Sequence, residues 1–159
     1  MNNGGCRQSW GTTIFCEDIR AEIGGKITLV GIYTGELISQ LPFPLVLPKF
    51  ALWINYFEVP GSSSGDGKLY ISLPGDPKPS IESDIPMDQF RSQAGHKADT
   101  DDPEVDLWNR LLMPIVITPL VLKEPGRILV RLHFGETVIR LGALPIKGPP
   151  TVGNEAPTT

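Results

Sequence analysis

Three arginines and a histidine are concentrated near the end of the chain, at Arg127, Arg131, His133 and Arg140. Arginine presents a planar fork of N–H donors that suits carboxylates and phosphates. Because the chain has a net charge of −4, this cluster is a local basic patch on an acidic protein. It predicts a surface for an acidic partner, a nucleotide or a carboxylate ligand. The alternative is that the arginines are solvated, or are paired with Glu58 on a neighbouring strand.

A run of carboxylates between residues 99 and 106 is the second candidate for chemistry. Its members are Asp99, Asp101, Asp102, Glu104 and Asp106. Calcium takes six to eight oxygen ligands, but the spacing of an EF-hand loop is absent here. Asp102 before Pro103 is instead typical of a helix N-cap. We interpret the run as a solvated loop with a helix cap, and a calcium site as the alternative.

Residues for zinc or nucleophilic chemistry are sparse. The two histidines, His96 and His133, lack the spacing of a metal motif, and Cys6 and Cys16 form no disulfide framework. The residues therefore predict a protein that is not an enzyme and has no cofactor or metal. A hydrolase with its site in the long loop over 74–104 is the remaining catalytic alternative.

Three aromatic residues on one predicted strand are a further candidate surface, for sugars or proteins. Strand alternation places Trp53 and Phe57 on one face and Tyr56 on the other. At least one of these faces must belong to the core.

The arginines lie on a predicted β-hairpin over 125–146, which turns at Gly135-Glu136. Glycine in the first central position suits a type II′ turn, which needs a positive φ there. Alternation then predicts an apolar face and a polar face. The predicted apolar pairs are Phe134–Thr137, Leu132–Ile139, Val130–Leu141 and Ile128–Ala143. On the polar face Arg131 is opposite Arg140, a mildly destabilising like-charge pair that needs compensation.

An earlier hairpin is predicted to turn at Gly24-Gly25, with Ile19 opposite Val30. Its polar positions match poorly, which leaves two alternatives: a bulge over 16–18, or mutual pairing of Asp18 and Arg20.

Further elements follow from apolar runs and proline positions. The strongest central strand is 50–59, and 69–73 and 115–122 are also strands, the last interrupted by Pro119. The segment 74–104 is irregular, with a short edge strand at 81–85. About two turns of helix are expected after Asp102.

Length and composition favour one β-rich domain. The chain has 159 residues, 16 prolines and 17 glycines, which favours many turns and short strands over long helices. Seven or eight strands and one short helix predict an antiparallel β-sandwich over 12–146. Flexible segments are expected at 1–11 and 147–159.

Two segments resemble a family of uncharacterised bacterial proteins. GGKITLVGIY, over 24–33, resembles the family's GGK-plus-strand signature. EPGRILVRLHFGETVIRLGALPI, over 124–146, resembles its closing pattern of a proline-glycine entry, a strand, a turn and a strand. The resemblance implies an immunoglobulin-like or C2-like β-sandwich of bacterial origin. It implies no activity and no functional residues.

Together these features predict a non-catalytic binding or scaffold module in the cytoplasm, with a protein as its partner. Nonspecific nucleic-acid binding is not expected at net charge −4. No apolar run is long enough for a spanning helix, and the chain shows no hydrophobic signal core, so no membrane association is predicted. A calcium-linked C2-like module is the alternative.

Overall fold

The computed structural model describes residues 8–62, 65–94 and 108–149. Within these ranges the chain forms twelve strands and one helix, which confirms the all-β class. Seven or eight strands were expected, but several of the twelve have only two to four residues. The elements are β1 (Trp10–Cys16), β2 (Asp18–Ala21), β3 (Ile27–Val30), β4 (Leu37–Ile38), β5 (Leu45–Leu47), β6 (Phe50–Glu58), β7 (Gly67–Ser72), β8 (Ile81–Ile85), α1 (Met87–Ala94), β9 (Asn109–Ile117), β10 (Leu120–Leu122), β11 (Gly126–Phe134) and β12 (Thr137–Lys147).

Two larger sheets carry the architecture. One is antiparallel with strand order β1-β6-β9, and the other has the order β4-β12-β11-β7-β8. The short parallel pair of β4 and β12 is the exception to antiparallel pairing in the second sheet. Two small antiparallel pairs, β2 with β3 and β5 with β10, complete the described part. No helix in the described residues is long and apolar enough to cross a membrane.

Both larger sheets contribute side chains to one core. Strand β6 is apolar on both faces, as the sequence predicts, and Leu52, Ile54 and Tyr56 are fully buried. Ile71 from β7 and Leu132 from β11 belong to the same cluster and are also fully buried. Burying each such large apolar side chain contributes about 1.5–3 kcal/mol, so this shared core holds the sheets together.

The closing hairpin follows its predicted register near the turn and departs from it further along. Phe134 pairs with Thr137 and Arg131 with Arg140, and Gly135 has the expected positive φ of 56°. A β-bulge then follows, so Val130 pairs with Gly142 rather than Leu141. The predicted pairs Val130–Leu141 and Ile128–Ala143 are therefore wrong, and Ile128 is opposite Leu144.

The bulge has a physical reason in the spacing of apolar residues on β12. Leu141, Leu144 and Ile146 are all buried, but strict alternation from Leu141 would place Leu144 and Ile146 on the solvent face. One extra residue corrects the phase and brings all three to the core. Strand β1 passes close to this point, since a Cβ on Gly142 would lie 2.9 Å from Cβ of Thr13.

The first hairpin is shifted by one residue from its predicted register. Its turn contains Ile23 as well as the two glycines, so Asp18, rather than Ile19, pairs with Val30. Nε of Arg20 donates to Oδ2 of Asp18 over 3.1 Å. Mutual pairing of Asp18 and Arg20 is thus confirmed, and the strand is also interrupted at Glu17, within the range predicted for the alternative bulge.

The middle of the chain departs furthest from expectation. Edge strand β8 is present as predicted, but α1 follows it inside a segment predicted to be irregular. The helix predicted after Asp102 is wrong at its far end, because β9 begins at Asn109 and contains Leu112. Its first part, 102–107, lies outside the described residues.

The ends of the ordered framework also differ slightly from the prediction. β1 begins at Trp10, inside the segment 1–11 that was expected to be flexible. β12 continues to Lys147, one residue beyond the predicted domain end.

A buried ion pair fastens α1 to the sheet. The side chain of Glu58, at the end of β6, is fully buried and accepts from Nη2 of Arg91 at 2.7 Å and from Nε at 3.1 and 3.2 Å. Nδ2 of Asn109 donates to the same carboxylate at 3.1 Å. The hydrogen bond to Glu58 raises the pKa of Arg91 above its ordinary value. A helix that propensity does not predict is thus held by a long-range contact.

Replacing Arg91 with methionine should lower the free energy of unfolding by about 3–5 kcal/mol, because the buried Glu58 carboxylate loses the hydrogen bonds and the charge of the guanidinium group. Urea denaturation measures the change. Lys68→Met is the control, since it breaks the exposed pair of Lys68 and Asp84 and should cost no more than about 1 kcal/mol. Equal losses in the two variants would contradict the role given to the buried pair.

Candidate functional site: a basic depression on the closing hairpin

The outward face of β11 carries the predicted basic patch. Alternate residues of this strand point to the core and are buried, while Arg127 and Arg131 are exposed and Leu129 and His133 are half-buried. Arg140 is exposed on β12 and pairs directly with Arg131, as the sequence predicts. Both arginines belong to one well-paired hairpin, so the backbone, rather than a loop, sets their positions.

Between the arginines lies a depression with a volume of about 530 Å³. Residues of both hairpin strands line it: Arg127, Leu129, Val130, Arg131, Arg140, Leu141, Gly142 and Ala143. We call this set, which contains three arginines, the arginine surface.

The bulge opens this depression. The Leu141 side chain is buried, and a Cβ on Gly142 would point at Thr13 of β1, so both bulge positions face inward. The outward residues that flank them, Arg140 and Ala143, are therefore three positions apart instead of the usual two. Because Ala143 is also small, the floor beside Leu129 is left open.

The charges of the arginine surface are uncompensated within 8–62, 65–94 and 108–149. Neither a hydrogen bond nor an ion pair joins Arg127, Arg131 or Arg140 to another residue there. The alternative in which these arginines pair with Glu58 is wrong, because Glu58 is buried on β6 and accepts hydrogen bonds from Arg91 and Asn109. Two guanidinium groups on directly opposed residues repel each other mildly in this arrangement. An anion between them would turn that repulsion into attraction.

His133 lies on the same face but does not line the depression. Its ring contacts that of Tyr70 on β7, with the ring centroids 4.6 Å apart and the planes at 60°. His133 therefore extends the surface toward β7, next to the ion pair of Lys68 and Asp84.

In a second depression, of about 370 Å³, the basic side chains are paired with a carboxylate. It lies at the base of the first hairpin, where Asp18 is bound by both Lys49 and Arg20. These hydrogen bonds, chiefly that of Lys49, hold the pKa of Asp18 below its ordinary value. Its cations are already paired, which distinguishes it from the arginine surface.

The other predicted candidates are not brought together. His96 and the carboxylates at 99, 101, 102, 104 and 106 lie outside the described residues, as does the later part of the 74–104 loop. Among the residues that can be described, no three His, Cys, Asp or Glu side chains are grouped as a metal site requires. Cys16 is buried, and burial raises the pKa of its thiol, which disfavours the reactive thiolate.

The aromatic residues of β6 divide between the faces as alternation predicts. Tyr56 is fully buried in the core, while Trp53 and Phe57 are half-buried on the other face. Sequence reasoning missed that Trp10 of β1 stacks on Phe57, with centroids 4.5 Å apart, and that Arg110 lies 5.6 Å from the same ring. Trp10 was assigned to a flexible terminus, so this row of side chains could not be foreseen.

No family model, curated protein or solved structure matches the chain. The site must therefore be interpreted from its own geometry.

Replacing Arg140 with glutamine should leave stability unchanged or raise the free energy of unfolding by up to ~0.5 kcal/mol, because the repulsion from Arg131 is removed. Urea denaturation at low salt measures this change. Arg20→Gln is the control, because Arg20 is paired with Asp18 and its loss should not stabilise. A loss above about 1 kcal/mol in Arg140→Gln would show that Arg140 has a structural role instead.

Proposed function

We propose that the protein is a non-catalytic binding or scaffold module of the bacterial cytoplasm that captures an acidic partner, expected to be a protein, through the arginine surface. One observation carries the proposal. Arg131 and Arg140 are directly opposed on an outward face, and no carboxylate of the described ranges pairs with them. Two arginines on opposed residues of a well-paired hairpin, with no carboxylate partner, are suited to binding an anion.

The interior of the protein supports this interpretation by contrast. There, the buried carboxylate of Glu58 has Arg91 and Asn109 as partners. The mixed-charge depression at Asp18 is likewise balanced by Lys49 and Arg20. Charges are thus paired in these two places, whereas the three arginines of the arginine surface share one face and have no ion pair within the described ranges. A binding role accounts for this grouping of unpaired basic charge.

The fold we propose for this platform is a β-sandwich of the immunoglobulin-like or C2-like kind. Its support is the core shared by the two larger sheets and the close passage of β1 over β12 at Gly11 and Gly142. Such a scaffold presents the arginine surface on the outer face of one sheet.

Affinity capture with the full chain as bait tests the proposal. Replacing Arg131 and Arg140 together with glutamate should reduce the partners captured at low salt by at least about tenfold, because attraction becomes repulsion. The control replaces Lys26 and Lys78, both exposed and distant in sequence, with glutamate, which changes net charge equally. It should leave capture intact. Undiminished capture by the Arg131/Arg140 variant would contradict the assignment of the surface.

A further inference from the structure

We infer that the depression of the arginine surface takes a small organic molecule with two anionic groups, of which the one between Arg131 and Arg140 is a phosphate. This inference goes beyond the proposed function, because its ligand is a small molecule and the partner proposed above is a protein. It follows from the positions of the three arginines, the apolar floor between them and the size of the depression.

The opposed pair determines the first group. Side chains directly across an antiparallel ladder have Cβ atoms ~4.5–5.5 Å apart, so Arg131 and Arg140 can reach the same anion. Each guanidinium group offers its donors in a planar fork. A carboxylate has a single charge and two oxygens, and it balances one arginine. A phosphate monoester carries close to two negative charges and three terminal oxygens at neutral pH, which suits both arginines.

The third arginine determines the second group. Arg127 is four residues before Arg131 on the same strand and face, a Cα distance of about 13 Å along the strand. It is opposite Pro145, which carries no charge, so Arg127 forms a separate anchoring point. Because Arg127 lines the same depression as the opposed pair, we assign to it the second anionic group of the ligand.

The floor between these two points suits an organic body. Leu129 is opposite Ala143, and both line the depression next to the bulge, where the outward side chain of β12 is a single methyl group. The volume of about 530 Å³ falls within the range of small-molecule sites. Because the depression has a volume of about 530 Å³ and Leu129 and Ala143 line it beside the arginines, inorganic phosphate alone would leave it largely empty.

Isothermal titration with fructose 1,6-bisphosphate as the probe tests the inference. We expect it to bind the full chain at least about tenfold more tightly than fructose 6-phosphate, since the second anion engages Arg127. Arg127→Gln should abolish that difference while leaving the affinity for fructose 6-phosphate unchanged. Arg140→Gln should weaken both ligands about tenfold or more.

A bulky substitution at Ala143, beside Leu129, tests the size of the depression independently, because it changes no charged residue. Ala143→Phe should weaken the bisphosphate about tenfold or more, because its ring occupies the space of the organic body. Val121→Phe is the matched control, since Val121 is exposed on β10 and lines no part of the depression. It should bind as the unmodified chain does.

Several outcomes would overturn the inference. They are a bisphosphate that binds no more tightly than fructose 6-phosphate, an Ala143→Phe variant with full affinity, and binding only to vesicles that contain a phosphoinositide bisphosphate. The last result would assign the surface to a lipid headgroup. If the bisphosphate fails these tests but the Arg131/Arg140 glutamate variant still loses partner capture, the inference is wrong and the proposed function is retained. Unaffected capture would instead remove the proposed function itself.

Discussion

The β-bulge at Leu141 is the constraint on which the closing hairpin depends. Without the bulge, Leu144 and Ile146 would be on the solvent face while Leu141 was buried. A regular register therefore could not bury the apolar residues in both halves of β12. With it, one extra residue turns inward and the phase is restored. The same correction spreads the outward residues apart and opens the depression beside Arg140. A requirement of the core therefore shapes the surface.

Charges in this protein follow a consistent division. The buried carboxylate of Glu58 has an arginine and an amide as partners, so a charge that the fold encloses is paired. The like charges of Arg131 and Arg140 lie outside the core, where water screens their repulsion. The fold tolerates that pair because its energetic penalty is small, and the pair remains available to a ligand.

Much of the fold is predictable from local pattern, and the failures have identifiable causes. The pairs of the closing hairpin nearest its turn are predicted by alternation around Gly135, and so is the outward position of Arg131 and Arg140. The bulge was missed because alternation was extended past Leu141, although the three-residue step from Leu141 to Leu144 signals it. Helix α1 was missed because its support is long-range: Glu58 binds Arg91, and Asp66 accepts from the backbone N–H of Met87 at 3.1 Å. The depression depends on the bulge, so it could not be foreseen either.

The most direct test of this account compares deletion of Leu141 with Leu141→Ala. Both variants lose the same buried side chain, but only the deletion removes the extra residue, after which Gly142 follows Arg140 and the ladder becomes regular. Titration with fructose 1,6-bisphosphate, with circular dichroism to verify folding, should show the affinity lost in the deletion and at most slightly reduced in Leu141→Ala, which truncates one lining residue but keeps the bulge. Equal affinities in two folded variants would contradict the claim that the bulge builds the site.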